Sequence, residues 1–269
     1  MIDLVPHLPP HAESTIRQFL SAHALPPAGE GVVVGLSGGI DSALCARLAA
    51  DALGPERVLG VLLPADGFPE ELRAETVRYA ERLGIAHRTV SLAGLVEAFR
   101  TTLPDETDRI TAGNTVARFR MTVLYALARD CGRLVMGTGN KSELLQGYFT
   151  KYGDGGVDLL PIGDLYKTQV RALSTQLGLP QEILDRPPSA GFWEGQTDEE
   201  ELGITYADLD RVLFGVEQLC RPEEIHERTG IPMDTVHRIT ERIMLTRHKR
   251  RPPPVAKVGL RTVGLDWRE

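Results

Sequence analysis

The stretch Gly31-Val32-Val33-Val34-Gly35-Leu36 runs straight into Ser37-Gly38-Gly39-Ile40-Asp41-Ser42, and this junction restricts the folding of the chain most tightly. A short β-branched run bounded by glycine reads as a strand buried on both faces. Across residues 41–53, Leu44, Leu48 and Leu53 recur at helical spacing, and Gly54-Pro55 ends the helix. The two glycines of the turn let several backbone N–H groups converge where the helix begins. The partial positive charge of the helix start adds to them, so the turn is an anion site suited to phosphate. Ser37 and Ser42 offer hydroxyl donors. Asp41 is the odd member, because a carboxylate repels phosphate. A Mg2+ ion between the two removes that conflict, since it takes carboxylate and phosphate oxygens together. A plain glycine turn with a capping Ser37 or Asp41 explains the pieces singly, but less well the whole string after a hydrophobic strand.

The alternation continues along the chain. Residues 58–63, 87–90 and 133–136 read as strands, and 70–83 and 114–129 as helices. This pattern predicts an α/β fold with a doubly wound, mostly parallel sheet and helices on both faces. Ligands of such sheets sit at the carboxyl ends of the strands. On the helix 114–129, Val116, Phe119, Val123 and Leu127 share one face, and Asn114, Arg118, Tyr125 and Arg129 the other. Arg118 therefore points away from the apolar stripe, whereas Arg120 falls inside it and needs a partner. Residues 138–163 and 185–204 read as long loops, which in a compact domain are usually functional. Helices are expected at 166–177, 206–219, 222–228 and 232–247, with a proline-rich tail from Pro252. The expected organisation is a single domain over 1–269. It comprises an N-terminal helical segment (1–30), a nucleotide-binding α/β core (31–190), and a helical C-terminal region with its tail (191–269).

Charge and cysteine usage narrow the function classes. With 30 basic and 37 acidic residues the net charge is −7, which favours neither nucleic acid nor an anionic membrane. A polyanionic ligand must then be met by a local basic site, a metal ion or oriented amides. Arg247-His248-Lys249-Arg250-Arg251 is the one dense basic cluster, readable as an anion clamp or as a solvated tail. Residues 222–243, with Gly230 in the middle, also read as helix–turn–helix, a DNA-binding alternative that the acidic balance and the glycine turn oppose. Cys45, Cys131 and Cys220 are far apart, odd in number and without metal-ligand spacing, which fits a reducing cytoplasm. No signal sequence and no apolar run of bilayer length is expected.

The glycine string lacks the Gly-Lys-Ser/Thr of a Walker loop, and Gly137-Thr138-Gly139-Asn140 lacks the third glycine of a dinucleotide fingerprint. Ser37-Gly38-Gly39-Ile40-Asp41-Ser42 resembles instead the pyrophosphate loop of the N-type ATP pyrophosphatases, which cleave ATP between the α and β phosphates. Longer strings choose among them. These are Gly137-Thr138-Gly139-Asn140-Lys141-Ser142-Glu143, Gly147-Tyr148-Phe149-Thr150-Lys151-Tyr152-Gly153-Asp154-Gly155 and Pro161-Ile162-Gly163-Asp164-Leu165-Tyr166-Lys167-Thr168-Gln169-Val170. Arg186-Pro187-Pro188-Ser189-Ala190-Gly191, Trp193-Glu194-Gly195-Gln196-Thr197-Asp198-Glu199 and His248-Lys249-Arg250 follow. In this order they are similar to the NAD+ synthetase family, from about residue 30 to about residue 255.

The resemblance implies ATP-dependent amidation of deamido-NAD+ by ammonia through an acyl-adenylate. It implies that Gly35, Leu36, Ser37, Gly38, Gly39, Ile40, Asp41, Ser42, Thr138, Lys167 and Ser189 contact ATP. Asp41 and Glu143 would hold Mg2+, and Arg118, Lys151, Asp158, His248 and Lys249 would contact deamido-NAD+. Asp41 and Lys167 are the expected catalytic residues. The family is typically a homodimer with the deamido-NAD+ site near the subunit interface. Free ammonia is the expected nitrogen source, with a separate glutaminase subunit as the alternative. Residues 150–160 and 190–205 are expected to close over the intermediate. Asp66-Gly67-Phe68 departs from the small polar residues expected there, which bears on adenosine recognition. The rivals are another amidating or thiolating pyrophosphatase and a non-catalytic nucleotide-binding regulator. Thiolation calls for a reactive cysteine in a loop, whereas Cys45 and Cys131 fall on expected helices.

Overall fold

The computed structural model describes residues 3–65, 68–102, 108–189 and 195–263. The expected strands become four parallel strands, β1 (Val32–Gly35), β2 (Val58–Leu62), β3 (Ala86–Thr89) and β4 (Leu134–Met136), in the order β3-β2-β1-β4. Val33 of β1 lies opposite Leu59 on one side and Val135 on the other. Alternate side chains therefore enter two different cores, one on each face of the sheet.

The helices are α1 (Ala12–Ala24), α2 (Ile40–Leu53), α3 (Glu70–Arg82), α4 (Ala93–Thr102), α5 (Arg109–Asp130), α6 (Lys141–Gln146), α7 (Lys167–Gln176) and α8 (Gln181–Leu184). They continue with α9 (Asp198–Leu202), α10 (Tyr206–Glu217), α11 (Pro222–Thr229) and α12 (Met233–Leu245). Val32, Val34, Val58, Leu62 and Met136 pack with Leu20 of α1, Leu44 and Leu48 of α2, and Val170 and Leu173 of α7. Val33, Leu59, Val61 and Val135 pack on the opposite face with Val96 of α4 and with Val116, Phe119 and Val123 of α5. A third core gathers Leu202, Tyr206, Leu209, Leu213, Ile225, Val236 and Ile239 of α9 to α12, together with Leu4 and Tyr166. The expected doubly wound α/β architecture is the observed one. Among the described residues no helix is long and apolar enough to cross a membrane.

The departures are local. The segment expected as loop at 138–163 contains α6, and the one at 185–204 contains α9. Both are too short to show a 3.6-residue period, and their caps define them instead. Asn140 and Glu143 form a capping box at α6, and the Thr197 hydroxyl accepts from Glu200 N at α9. The fifth helix starts five residues before the expected position, because Asp108 accepts from Ile110 N and Thr111 N and caps it. Arg120 has the partner its place in the apolar stripe demanded: its Nε donates to Leu63 O at 3.3 Å, and burial lowers its pKa.

Candidate active site

In the order β3-β2-β1-β4, successive strands run outward from β1 in one direction and β4 lies on its other side. The chain therefore reverses between β1 and β4, the place at the strands' carboxyl ends where sheets of this kind bind their ligands. Two segments line it. The first is the glycine turn, where Gly38 has φ +79° and Gly39 caps α2. The turn is held by its own serines: Gly39 N donates to Ser37 Oγ at 3.2 Å, and Ser42 Oγ donates to Gly39 O at 3.0 Å. It is pinned from outside by Arg186, whose guanidinium donates to Gly38 O and pairs with Glu75. The second segment follows β4. It carries half-buried Thr138, then Asn140 and the start of α6.

Between the two segments lies a nearly dry group of charges. Lys167, the first residue of α7, places Nζ 2.5 Å from Asp41 Oδ2 and 3.3 Å from Glu143 Oε1. The exposures of these side chains are 2 % for Lys167, 18 % for Asp41 and 16 % for Glu143, so water screens them little. Asn140 Nδ2 donates to the other Asp41 oxygen at 3.0 Å, and Asn140 N donates to Glu143 Oε2 at 3.2 Å. Tyr206 lies beside this group. Lys167 Nζ stands 5.1 Å from its ring centroid, and its hydroxyl donates to Asp198 Oδ2 at 3.1 Å. Burial pulls the Lys167 ammonium down, but Asp41 and Glu143 outweigh it and hold its pKa above the ordinary lysine value. Burial pushes Glu143 well above the usual carboxylate range, against the pull of Lys167. It likewise raises Asp198. Two carboxylates meet this one ammonium, and a third, Asp198, acts on it electrostatically from farther off.

The remaining expected residues divide. Asp158 is exposed, yet its carboxylate accepts from Val135 N at 2.8 Å and from Tyr125 OH at 2.9 Å, fastening the 157–159 segment beside β4. Lys249 is half-buried and donates to Gly147 O and Phe149 O at 2.7 and 2.8 Å. Arg250 likewise donates to Leu144 O and Ile243 O, so part of the basic cluster closes the ends of α6 and α12 instead of hanging in solvent. His248 and Arg118 are exposed, and Arg118 acts electrostatically on Lys249. Lys151 sits over the Tyr152 ring in a run of turns fixed by Thr150, whose N–H donates to Asp154 and whose hydroxyl meets Asn114. Ser189 is exposed. Ala190, Gly191, Trp193 and Glu194, with part of the expected closing segment, lie outside the described residues, as do Asp66 and Gly67. Cys45 is buried on α2 with its thiol pushed up by burial, whereas Cys131, expected on a helix, is the first residue past α5, where its thiol donates to Leu127 O. Asn140, Asp198, Tyr206 and Asp210 had no role assigned from sequence. A polar residue at a helix start looks like an ordinary cap, and only the packing of α10 against α6 and α7 brings them to one place.

A glycine turn between a central strand and its helix at the switch point of a parallel sheet, facing a buried lysine held by two acids, is the arrangement of a nucleotide-dependent α/β protein. Residues 13–253 match the family model described as NAD synthase, and the chain belongs to that family. It is 47 % identical to the NH3-dependent NAD+ synthetase of Methanosarcina mazei, over 92 % of this chain and 98 % of that protein. It is 46 % identical to the enzyme of the same name from Archaeoglobus fulgidus, over 90 % and 95 %. Among solved structures, the NMN synthetase of Francisella tularensis superposes with a TM-score of 0.82 at 35 % identity, covering 93 % of this chain and 99 % of that one. The NH3-dependent NAD synthetase of Campylobacter jejuni, in complex with nitrate, gives 0.77 at 29 % identity, covering 91 % and 98 %.

Proposed function

We propose that the chain catalyses the ATP-dependent amidation of deamido-NAD+ with ammonia, giving NAD+, AMP and pyrophosphate through an acyl-adenylate. The observation that carries this reading is the meeting of Lys167, Asp41 and Glu143 beside the glycine turn. It occurs in a chain nearly half identical to proteins named for that reaction.

The substrate carboxylate attacks the α-phosphorus, pyrophosphate leaves, and ammonia then attacks the activated carbonyl. The turn from Gly35 to Ser42 cradles the departing phosphates with backbone N–H groups. Lys167 supplies positive charge to them, and Thr138 and Ser189 flank the nucleotide. Mg2+ prefers one or two carboxylates together with phosphate oxygens, and Asp41 and Glu143, which meet on the Lys167 ammonium, would supply the two carboxylates. When bound, the metal neutralises charge developing on the pyrophosphate. Arg118, Lys151, Asp158, His248 and Lys249 are the residues assigned to deamido-NAD+. The working form is a cytoplasmic homodimer.

Purified protein given ATP, Mg2+, deamido-NAD+ and ammonium is expected to release AMP and NAD+ in equal amounts, and glutamine alone is expected to give no NAD+. A second reading has specific support, because the neighbour with a TM-score of 0.82 is named an NMN synthetase. Nicotinate mononucleotide therefore belongs in the same assay. A higher kcat/KM on the mononucleotide would transfer the function to that reading, and AMP release without either amide would overturn both.

A further inference from the structure

The first backbone N–H groups of a helix have no partner within it. At α7 two of them are met from other helices. Lys167 N donates to Ser142 Oγ at 3.0 Å, and Thr168 N donates to Asp210 Oδ2 at 2.8 Å. Ser142 in turn donates its hydroxyl proton to Asp210 Oδ1 at 2.5 Å. Ser142 lies on α6, one residue before Glu143, and Asp210 lies on α10. Both are fully buried. A carboxylate in such a place is tolerated only when its oxygens are engaged. Here one oxygen is engaged by the helix that carries Lys167 and the other by the helix that carries Glu143.

We infer that Asp210 is a positioning residue for the metal–ATP complex, acting through Ser142 and the start of α7 to hold Lys167 and Glu143 in register. This rests on the ATP-dependent reading above. Asp210 touches neither the ammonium nor Glu143; it fixes the two backbones from which they project. The chain of contacts also accounts for Ser142, whose oxygen is both donor to Asp210 and acceptor from Lys167 N. In Asp210→Asn the amide oxygen still accepts from Thr168 N, but the charge-assisted bond from the Ser142 hydroxyl gives way to a weaker neutral one in which the amide N–H donates to Ser142 Oγ, so the α6 tie is loosened. Ser142→Ala cuts the α6 arm and leaves the Asp210–Thr168 contact in place.

The test compares the full-length protein with Asp210→Asn, Ser142→Ala, the double variant, and Val212→Ala, which removes apolar volume from the same helix. Binding of Mn2+·ATP is measured by calorimetry without the second substrate, beside kcat, the KM for deamido-NAD+ and urea melts. Each polar variant is expected to weaken Mn2+·ATP binding by about tenfold or more, the range for residues that orient metal ligands, and to move the KM for deamido-NAD+ by less than about twofold. The double variant is expected to bind no more weakly than Asp210→Asn, because both changes cut one chain of contacts. Val212→Ala is expected to lower the urea midpoint and leave Mn2+·ATP binding intact. Unchanged binding in the polar variants, an equal loss in Val212→Ala, or losses that multiply would overturn the inference. Should Asp210→Asn fail to fold, Ser142→Ala decides alone, with full affinity as the overturning result. A wild-type protein that binds Mn2+·ATP but makes no amide would refute the proposed reaction and leave this inference standing.

Discussion

Lys167 is the residue on which structure and chemistry both turn. Its ammonium is almost entirely removed from water and is balanced by two acids. Breaking a buried pair by removing one member leaves the other charge uncompensated. Lys167→Met is therefore expected to lower stability by about 3 kcal/mol, read from urea melts. It is also expected to reduce kcat by at least about a hundredfold, the usual cost of losing one preorganised donor to a developing oxyanion. Asn140→Ala separates two effects. It removes the α6 cap, at about 1 kcal/mol, and also frees the Asp41 oxygen bound at 3.0 Å. Its activity loss should accordingly exceed what the melt alone explains. Asp41 stood out in the sequence because a carboxylate beside a glycine turn is chemically out of place, and the structure brings it against Lys167. Asp210 was not, since an acid inside an amphipathic helix gives no sign of which neighbouring helix its oxygens will reach.

Among the elements, the turn between β1 and α2 is the least tolerant of change. Gly38 has positive φ, and a Cβ there would lie 2.4 Å from Leu72 Cδ1 and 2.8 Å from Thr76 Oγ1 of α3. Gly38→Ala meets both the backbone penalty and the crowding, together about 1–3 kcal/mol. Because the strain falls on the phosphate turn, the KM for ATP is expected to rise more than the KM for deamido-NAD+, which steady-state kinetics with each substrate varied will show. The strands and long helices were legible because they carry a clear period, β-branched runs for β1 and β2 and a sustained apolar stripe for α5. Helices α4, α6, α8 and α9 were not. The last three span six, four and five residues, so caps define them rather than repeats. In α4 only Val96 is buried, which leaves little apolar pattern to read.

At the scale of the molecule, the α/β core could be read from its alternation, whereas the packing of the C-terminal helices onto α6 and α7 could not, since nothing local encodes it. The proposed homodimer is a prediction at this scale. Sedimentation at micromolar concentration is expected to give twice the 29.5 kDa chain mass, and a monomer that turns over at full rate would refute it. One feature of the packing reaches further. Helix α7 enters the sheet core through Val170 and Leu173, while Tyr166, just before it, belongs to the C-terminal core, as does the helix bearing Asp210. The buried Lys167 therefore stands on the boundary of two separately packed cores. Partial loosening of the smaller one, well short of melting the sheet, is enough to take the lysine out of alignment, so on gentle heating turnover should fade ahead of the strands' amide protection against hydrogen exchange.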